Sequence, residues 1–480
     1  MNNSTTRHGR LPPWGRATLP APPAFTLRNV LRTIGPGVIA LGVAIGGGEW
    51  LLGPSVIVKY GVALLWITTA AVLLKTVLNL EMARYTLYTG EPIVTGFMRT
   101  WPGPGVWGWT YSILTLLQYG WPGWALTSAT ATAALLLGRM PTGSDASFVI
   151  LLGYATFGVC LLIVSLGRKI ERTLEYAMWA MVAWIVVYLV AVDVTTVSGD
   201  NWARLAGGFL SFGSVPHTAD WTLLAAFAAY SGLGGMGNVF ITNWMRDKGF
   251  GMGATVGYIP AVLGDRGNLS PHGNVFDATP ANLAAWRNWW KFVHVDQWGV
   301  FAAGSLAGMA LTCLLTLQFV PAGAVAGEWG VANLQAAGMA NALGPAFWYL
   351  TLICGLWVLF STQLGVVDGV PRAITDILWS GSPALRRWRG GDVRAVYYGV
   401  LAAFAIWGCI ALNLARPLTL IIVSANMAGL IMVFVSLHTL RVNRTLLPRE
   451  LRPSRWREAG LVACALFYGG AVFVSTRALL

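Results

Sequence analysis

Charge is scarce in this chain. Of its 480 residues 11% are charged and 56% hydrophobic, where soluble domains carry roughly a quarter charged residues. That shortage excludes a water-soluble globular protein and points to a polytopic membrane protein whose main partner is the lipid bilayer. Cysteine is also sparse. Cys160, Cys313, Cys354, Cys409 and Cys464 each fall inside an apolar run with no CxxC pair, which excludes a disulfide framework and leaves them as small hydrophobes. The five histidines offer no ligand-spaced pair: His217, His272 and His294 lie in predicted loops, His438 ends a predicted span and His8 is in the N-terminal tail. HExxH, GxSxG and GxxxxGK(S/T) patterns are absent too, so no enzyme constellation, no ATP-driven machinery and no cofactor are expected.

The net charge of +13 does not indicate a nucleic-acid partner, because Lys and Arg are spread over many short loops rather than gathered on one face. Residues 1–34 are polar, Arg-dotted and Pro-rich with no apolar signal-peptide core, and are expected to form a flexible cytosolic tail. Residues 35–480 form one transmembrane domain.

Hydropathy gives about eleven spans, at roughly 35–58, 61–85, 106–137, 147–167, 173–193, 221–243, 298–320, 345–366, 394–414, 417–440 and 459–478. A cytosolic N-terminus leaves only Lys59, Arg139, Arg204, Arg416 and Arg477 outside, with Lys75 inside a span. This positive-inside asymmetry predicts an integral protein of the cytoplasmic membrane with its C-terminus outside. The sequence Trp286-Arg287-Asn288-Trp289-Trp290-Lys291 reads as a headgroup-level helix ahead of the seventh span.

Two glycine-broken spans sit at matching places: Gly46-Gly47-Gly48-Glu49 in the first, and Gly232-Leu233-Gly234-Gly235-Met236-Gly237-Asn238 in the sixth. Unwound helix inside a bilayer is tolerated only where it lines a cavity, so paired breaks mark a transport site. Five spans per half force the two halves, 35–193 and 221–440, to lie inverted, with 459–478 as an extra helix. The expected fold is all-α, a 5+5 inverted repeat with broken first and sixth helices. Candidate substrate-binding residues are Gly46, Gly47, Gly48, Glu49, Gly232, Gly235, Met236 and Asn238.

Acidic residues well inside apolar surroundings are Glu49, Glu81 and Asp368, each costly there and so a functional candidate. Glu49 follows three glycines whose carbonyls could join its carboxylate in an all-oxygen shell, or it could be held by backbone N–H groups at a half-helix N-terminus. Glu81 with Arg84, and Asp368 with Arg372, have the spacing of helical ion pairs as well as of an ion pathway. Asn238 and Asn426 offer amide oxygens to a cation or hydrogen bonds between helices. The metal-ligating candidates are Glu49 and Asn238, and the pathway or gating candidates are Glu81, Arg84, Asp368 and Asn426.

The stretch Gly35-Pro36-Gly37 to Glu49-Trp50, then Gly61-Val62-Ala63-Leu64-Leu65-Trp66, Ala83-Arg84 to Thr89-Gly90, Arg168-Lys169-Ile170-Glu171 and Val442-Asn443-Arg444 resembles the Nramp divalent-metal transporters. The resemblance implies the leucine-transporter-like inverted repeat, with metal and proton moving by alternating access. It does not carry the metal site over. Where the family has Asp-Pro-Gly-Asn this chain reads Gly46-Gly47-Gly48-Glu49, and where the family has Met-Pro-His it reads Gly235-Met236-Gly237. Losing the thioether slot removes the soft ligand and leaves a harder site. The third span lacks the acidic residues that the family places there for proton passage, and the tenth-span glutamine slot holds Ala425 beside Asn426.

The leading expectation is a secondary transporter of a divalent cation with an altered, harder site. The alternative is a carrier of a small organic solute or a metal-organic complex, since three consecutive glycines make more room than a bare ion requires. A sensor without transport would leave two unwound segments with no cavity to line.

Overall fold

The computed structural model describes residues 11–216, 218–264, 269–324, 331–414 and 417–479. Arg7, His8, Arg10, His217, Arg266 and Arg416 lie outside the described residues. The chain enters through β1 (Gly15–Arg16), paired in parallel with β2 (Asn274–Val275), and α1 (Leu27–Thr33). The first span is α2 (Gly35–Ala44), a break, a wide π-type turn at Gly48–Leu52, and α3 (Gly53–Tyr60). Then come α4 (Trp66–Thr89), α5 (Ile93–Arg99), α6 (Pro104–Tyr119), α7 (Gly123–Leu137), α8 (Ala146–Ser165), α9 (Ile170–Thr196) and α10 (Gly199–Leu210). The sixth span is α11 (Trp221–Tyr230) and α12 (Met236–Lys248). The chain continues through α13 (Pro280–His294), α14 (Ala303–Phe319), α15 (Val331–Leu343), α16 (Ala346–Gly381), α17 (Pro383–Arg387), α18 (Val393–Ala411), α19 (Pro417–Leu446) and α20 (Arg455–Leu479).

Eight of these stretches are long and apolar enough to cross a membrane. The other three in the expected order are α4, which carries Lys75, Glu81 and Arg84, the α11–α12 pair, and the α6–α7 pair. The predicted single third span is interrupted at Gly120-Trp121-Pro122, because a proline cannot donate the helical hydrogen bond of its turn. The aromatic segment expected to lie at the headgroups runs on into the seventh span as one helical stretch, Pro280–Phe319. One of its faces packs on the protein, with Trp286, Trp289 and Phe292 buried, while Arg287, Asn288 and Lys291 are exposed.

Residues 11–34 are also more ordered than their composition suggests. Leu11 and Leu19 are buried, Arg99 donates to the Pro12 carbonyl at 3.0 Å and Trp289 to the Pro20 carbonyl at 2.8 Å. A few apolar anchors and backbone pairings offset the ordering entropy that a polar segment alone could not. Glu91, in the connection after α4, secures this strap by binding Arg99 through both oxygens and the Gly273 N–H. Burial alone would push its carboxyl up, but the adjacent Arg99 guanidinium and these hydrogen bonds outweigh it and hold the carboxyl below the ordinary range.

The centre of the bundle is α2, all ten of whose residues are buried. A helix apolar on every side suits a position surrounded by protein, and α2 packs against α9, α12 and α16. Both broken spans thus lie in the interior, where unpaired backbone groups can be met by side chains.

Candidate functional site

The first break begins where Ile45 leaves the helical region (φ −68°, ψ 80°). The second spans Ser231–Gly235 and uses positive φ at Gly232 (74°) and Gly235 (59°), conformations that glycine alone adopts without strain. The two breaks meet backbone to backbone. A Cβ at Gly48 would fall inside the carbonyl group of Tyr230, so only glycine permits the approach.

Each break frees backbone groups that need partners, and buried side chains supply them. Glu49 is fully buried; its Oε1 accepts from the Gly232 N–H at 2.7 Å and its Oε2 from the Gly46 N–H at 3.3 Å. One carboxylate therefore ties both breaks together. Gln118 of α6 holds the far side of the second break: Nε2 donates to the Gly234 carbonyl and Oε1 accepts from the Met236 N–H, both at 2.9 Å. Lys75 of α4, also fully buried, donates from Nζ to the carbonyls of Ala228 (3.1 Å), Ala229 (2.7 Å) and Ser231 (2.8 Å). Those carbonyls are the C-terminal end of α11, where the helix dipole favours a positive charge.

Between the breaks is a cavity of about 20 Å³ lined by Tyr119, Trp124, Tyr230, Leu233, Thr362 and by Gly47, Gly48, Gly232 and Gly234. That is room for about one water, so this conformation holds nothing larger between the breaks. Trp124 stands between the two tyrosines, with ring centroids 5.7 Å from Tyr119 and 5.6 Å from Tyr230.

Among the expected site residues, Gly47, Gly48 and Gly232 line this cavity, while Gly46, Glu49, Gly235, Met236 and Asn238 do not. Glu49 and Asn238 are not joined around one point. Asn238 gives its amide to Asn79 at 2.8 Å, and Glu49 faces the two breaks. No group of three His, Cys, Asp or Glu side chains able to hold a metal occurs among the described residues. Asn426 donates to the Ile422 carbonyl of its own helix and accepts from Ser475 of α20. Glu81 chelates Arg84 (2.7 and 3.0 Å) and also receives Arg457.

Asp368 belongs to a larger buried cluster. It binds Arg372, Trp244 and Tyr397; Arg372 also reaches Asp247; Arg246 binds Asp247 and Asp376. Nearby, Lys248 pairs with Glu175, and Asp296 accepts from the Gly37 N–H at the start of α2. Sequence reasoning missed Asp247, Asp296 and Asp376 because each lies near polar or basic neighbours in the chain. It passed over Lys75 because only acidic residues were weighed inside spans, although a lone lysine in an apolar run carries the same signal. Gln118 had a similar signal, a lone amide in an apolar helix.

No family model and no curated protein sequence matches the chain. Solved structures do. A manganese transporter from Eremococcus coleocola, in complex with an aromatic bis-isothiourea compound, superposes with a TM-score of 0.63 at 14% identity over 96% of this chain and 90% of that one. MhsT in complex with L-phenylalanine superposes with a TM-score of 0.50 at 13% identity over 93% of this chain and 98% of that one. The chain is an all-α polytopic membrane protein with the leucine-transporter-like inverted repeat, its first and sixth helices broken.

Proposed function

We propose that this protein is a secondary carrier working by alternating access, and that its cargo is a small organic solute, neutral or zwitterionic, rather than a free divalent cation. The observation that carries the reading is the cavity between the breaks, walled by three aromatic rings, the aliphatic Val43, Ala44 and Leu233, Thr362 and glycine backbone. Apolar walls with a few polar groups suit small organic ligands. The charges beside it are opposite and already engaged: Glu49 holds N–H groups, and Lys75 holds carbonyls. A divalent ion would find little net negative charge to neutralise it. Cargo entry requires this cavity to widen, since it is water-sized. The basic loops support a cytosolic N-terminus in the cytoplasmic membrane.

The second reading, an Nramp-like cation carrier with a harder site, is favoured by the residue pattern from Gly35 to Trp50 and by the fold likeness to a manganese transporter. Reconstitution into liposomes separates the two. Uptake of amino acids or nucleobases, with no divalent metal moved or bound calorimetrically, is the expected result. Metal flux that disappears in Glu49→Gln, with every organic probe excluded, would replace this proposal by the second reading.

A further inference from the structure

Lys75 presents three donors, and three carbonyl oxygens meet them at 2.7–3.1 Å. An ammonium ion has no other donors, so its hydrogen-bonding capacity is filled by the backbone alone. A ring of carbonyls around a single positive charge is the environment that proteins otherwise build for a dehydrated monovalent cation. Here the cation is tethered to α4. The Tyr468 ring of α20 lies 5.4 Å from Nζ, and the Tyr468 hydroxyl donates to one of the same carbonyls, that of Ala228.

The peptide group joining Ser231 to Gly232 is held from both ends. Its C=O accepts from Lys75 at 2.8 Å and its N–H donates to Glu49 at 2.7 Å. One peptide plane of the second break is thus polarised between a buried cation and a buried anion, and hydrogen bonds in such a chain reinforce one another. Loss of the ammonium proton would remove the positive charge and one of the three donors, loosening the end of α11 and weakening the grip of Glu49 on the same peptide. The titratable groups facing Lys75 are Glu49 from the first break and Cys464 and Tyr468 from α20.

We propose that Lys75 is a tethered coupling cation: its protonated form clamps the second break shut through the Ala228, Ala229 and Ser231 carbonyls, and proton release opens the break in the transport cycle, without sodium. The proposal rests on the carrier reading above and assigns that carrier its coupling ion. A buried lysine can release its proton, whereas an arginine in the same place stays charged. No other reactant is needed: Lys75 takes its proton from water on one side of the membrane and gives it up to water on the other, so each cycle carries that proton across.

The test is hydrogen exchange of the backbone over residues 228–237 in the purified full-length protein, read by mass spectrometry and corrected for the intrinsic effect of pH. Between about pH 6 and about pH 9, protection of this segment in the unmodified protein should fall by roughly tenfold or more. Replacing sodium with choline should leave both values unchanged. Lys75→Arg should stay protected at both pH values, and Lys75→Met should be open at both. A pH-independent break in the unmodified protein, protection restored by sodium, or a Lys75→Arg variant that follows the unmodified profile each overturns the assignment. Should neither variant fold, the sodium and pH arms on the unmodified protein still decide. No cargo is needed, so the two failures are distinguishable: solute flux with a pH-independent break defeats only the Lys75 assignment, whereas a pH-responsive break without flux of any solute defeats the carrier reading and the coupling role with it, leaving Lys75 as a clamp on the break.

Discussion

At the end of the bundle where α2 begins, buried charges answer one another. Arg372 lies between Asp368 and Asp247, and Arg246 between Asp247 and Asp376. At the two breaks buried charges answer the backbone instead, Glu49 through N–H groups and Lys75 through carbonyls. The first arrangement needs intact helices to deliver matched side chains. The second exists only because two helices are unwound. Side-chain pairs can part and re-form as rigid elements move, whereas a charge held by main chain reports directly on the conformation of that main chain. The ion cluster is thus suited to latching one face of the bundle, and the breaks to sensing what lies between them.

The largest effect that would sharpen this contrast is expected from Arg372→Met, which strands Asp368 and Asp247 without their common partner. Breaking a buried pair in this way costs about 3–5 kcal/mol, visible as a lower unfolding temperature in detergent; a change near zero would mean that water already reaches the cluster. Next comes Gly48→Ala. Its methyl group has no room beside the Tyr230 carbonyl, so the breaks must separate at a cost of roughly 1–3 kcal/mol with loss of uptake. Full uptake by that variant would break the claim that the two breaks must touch.

Glu49→Gln is milder. The amide keeps one acceptor but turns a donor toward a second N–H, a loss of roughly 1–2 kcal/mol that should show as faster exchange at Gly46 and Gly232 while the ion cluster stays protected. Equal loosening of both regions would erase the distinction between them.

The smallest effect concerns Glu91, a side-chain-paired carboxylate outside the spans. Its folded-state carboxyl titrates below its unfolded value, so its contribution is fully present above about pH 4.3 and is lost as pH falls through the lower, folded value. Limited acid proteolysis should then cut within residues 11–26 before any span is touched, and Glu91→Gln should show the same cleavage already at neutral pH.

Much of the fold was legible because the bilayer demands long apolar helices and glycine marks where they break. The span order and the paired breaks followed from Gly46-Gly47-Gly48 and Gly232 to Gly237. The interruption at Pro122 was missed because apolar residues continue on both sides of it. The partners of the breaks were not legible either. Lys75, Gln118 and Glu49 come from different spans, and which backbone groups they meet depends on helix rotation that hydropathy does not encode. The pairing of Glu81 with Arg84 and of Asp368 with Arg372 was legible, since both members lie on one helix at i,i+3 and i,i+4 spacing.

The strap at residues 11–26 joins elements that any opening of this face would pull apart. It is stitched to Arg99 of α5, to Trp289 of α13 and, through Gly15 and Arg16, to the segment at Asn274 and Val275. Spreading α5 from α13 must first unfasten those stitches, while motion at the opposite face leaves them whole. In the alternating-access cycle proposed above the two halves are therefore mechanically unequal, and removing residues 11–26 should speed one of them far more than the other.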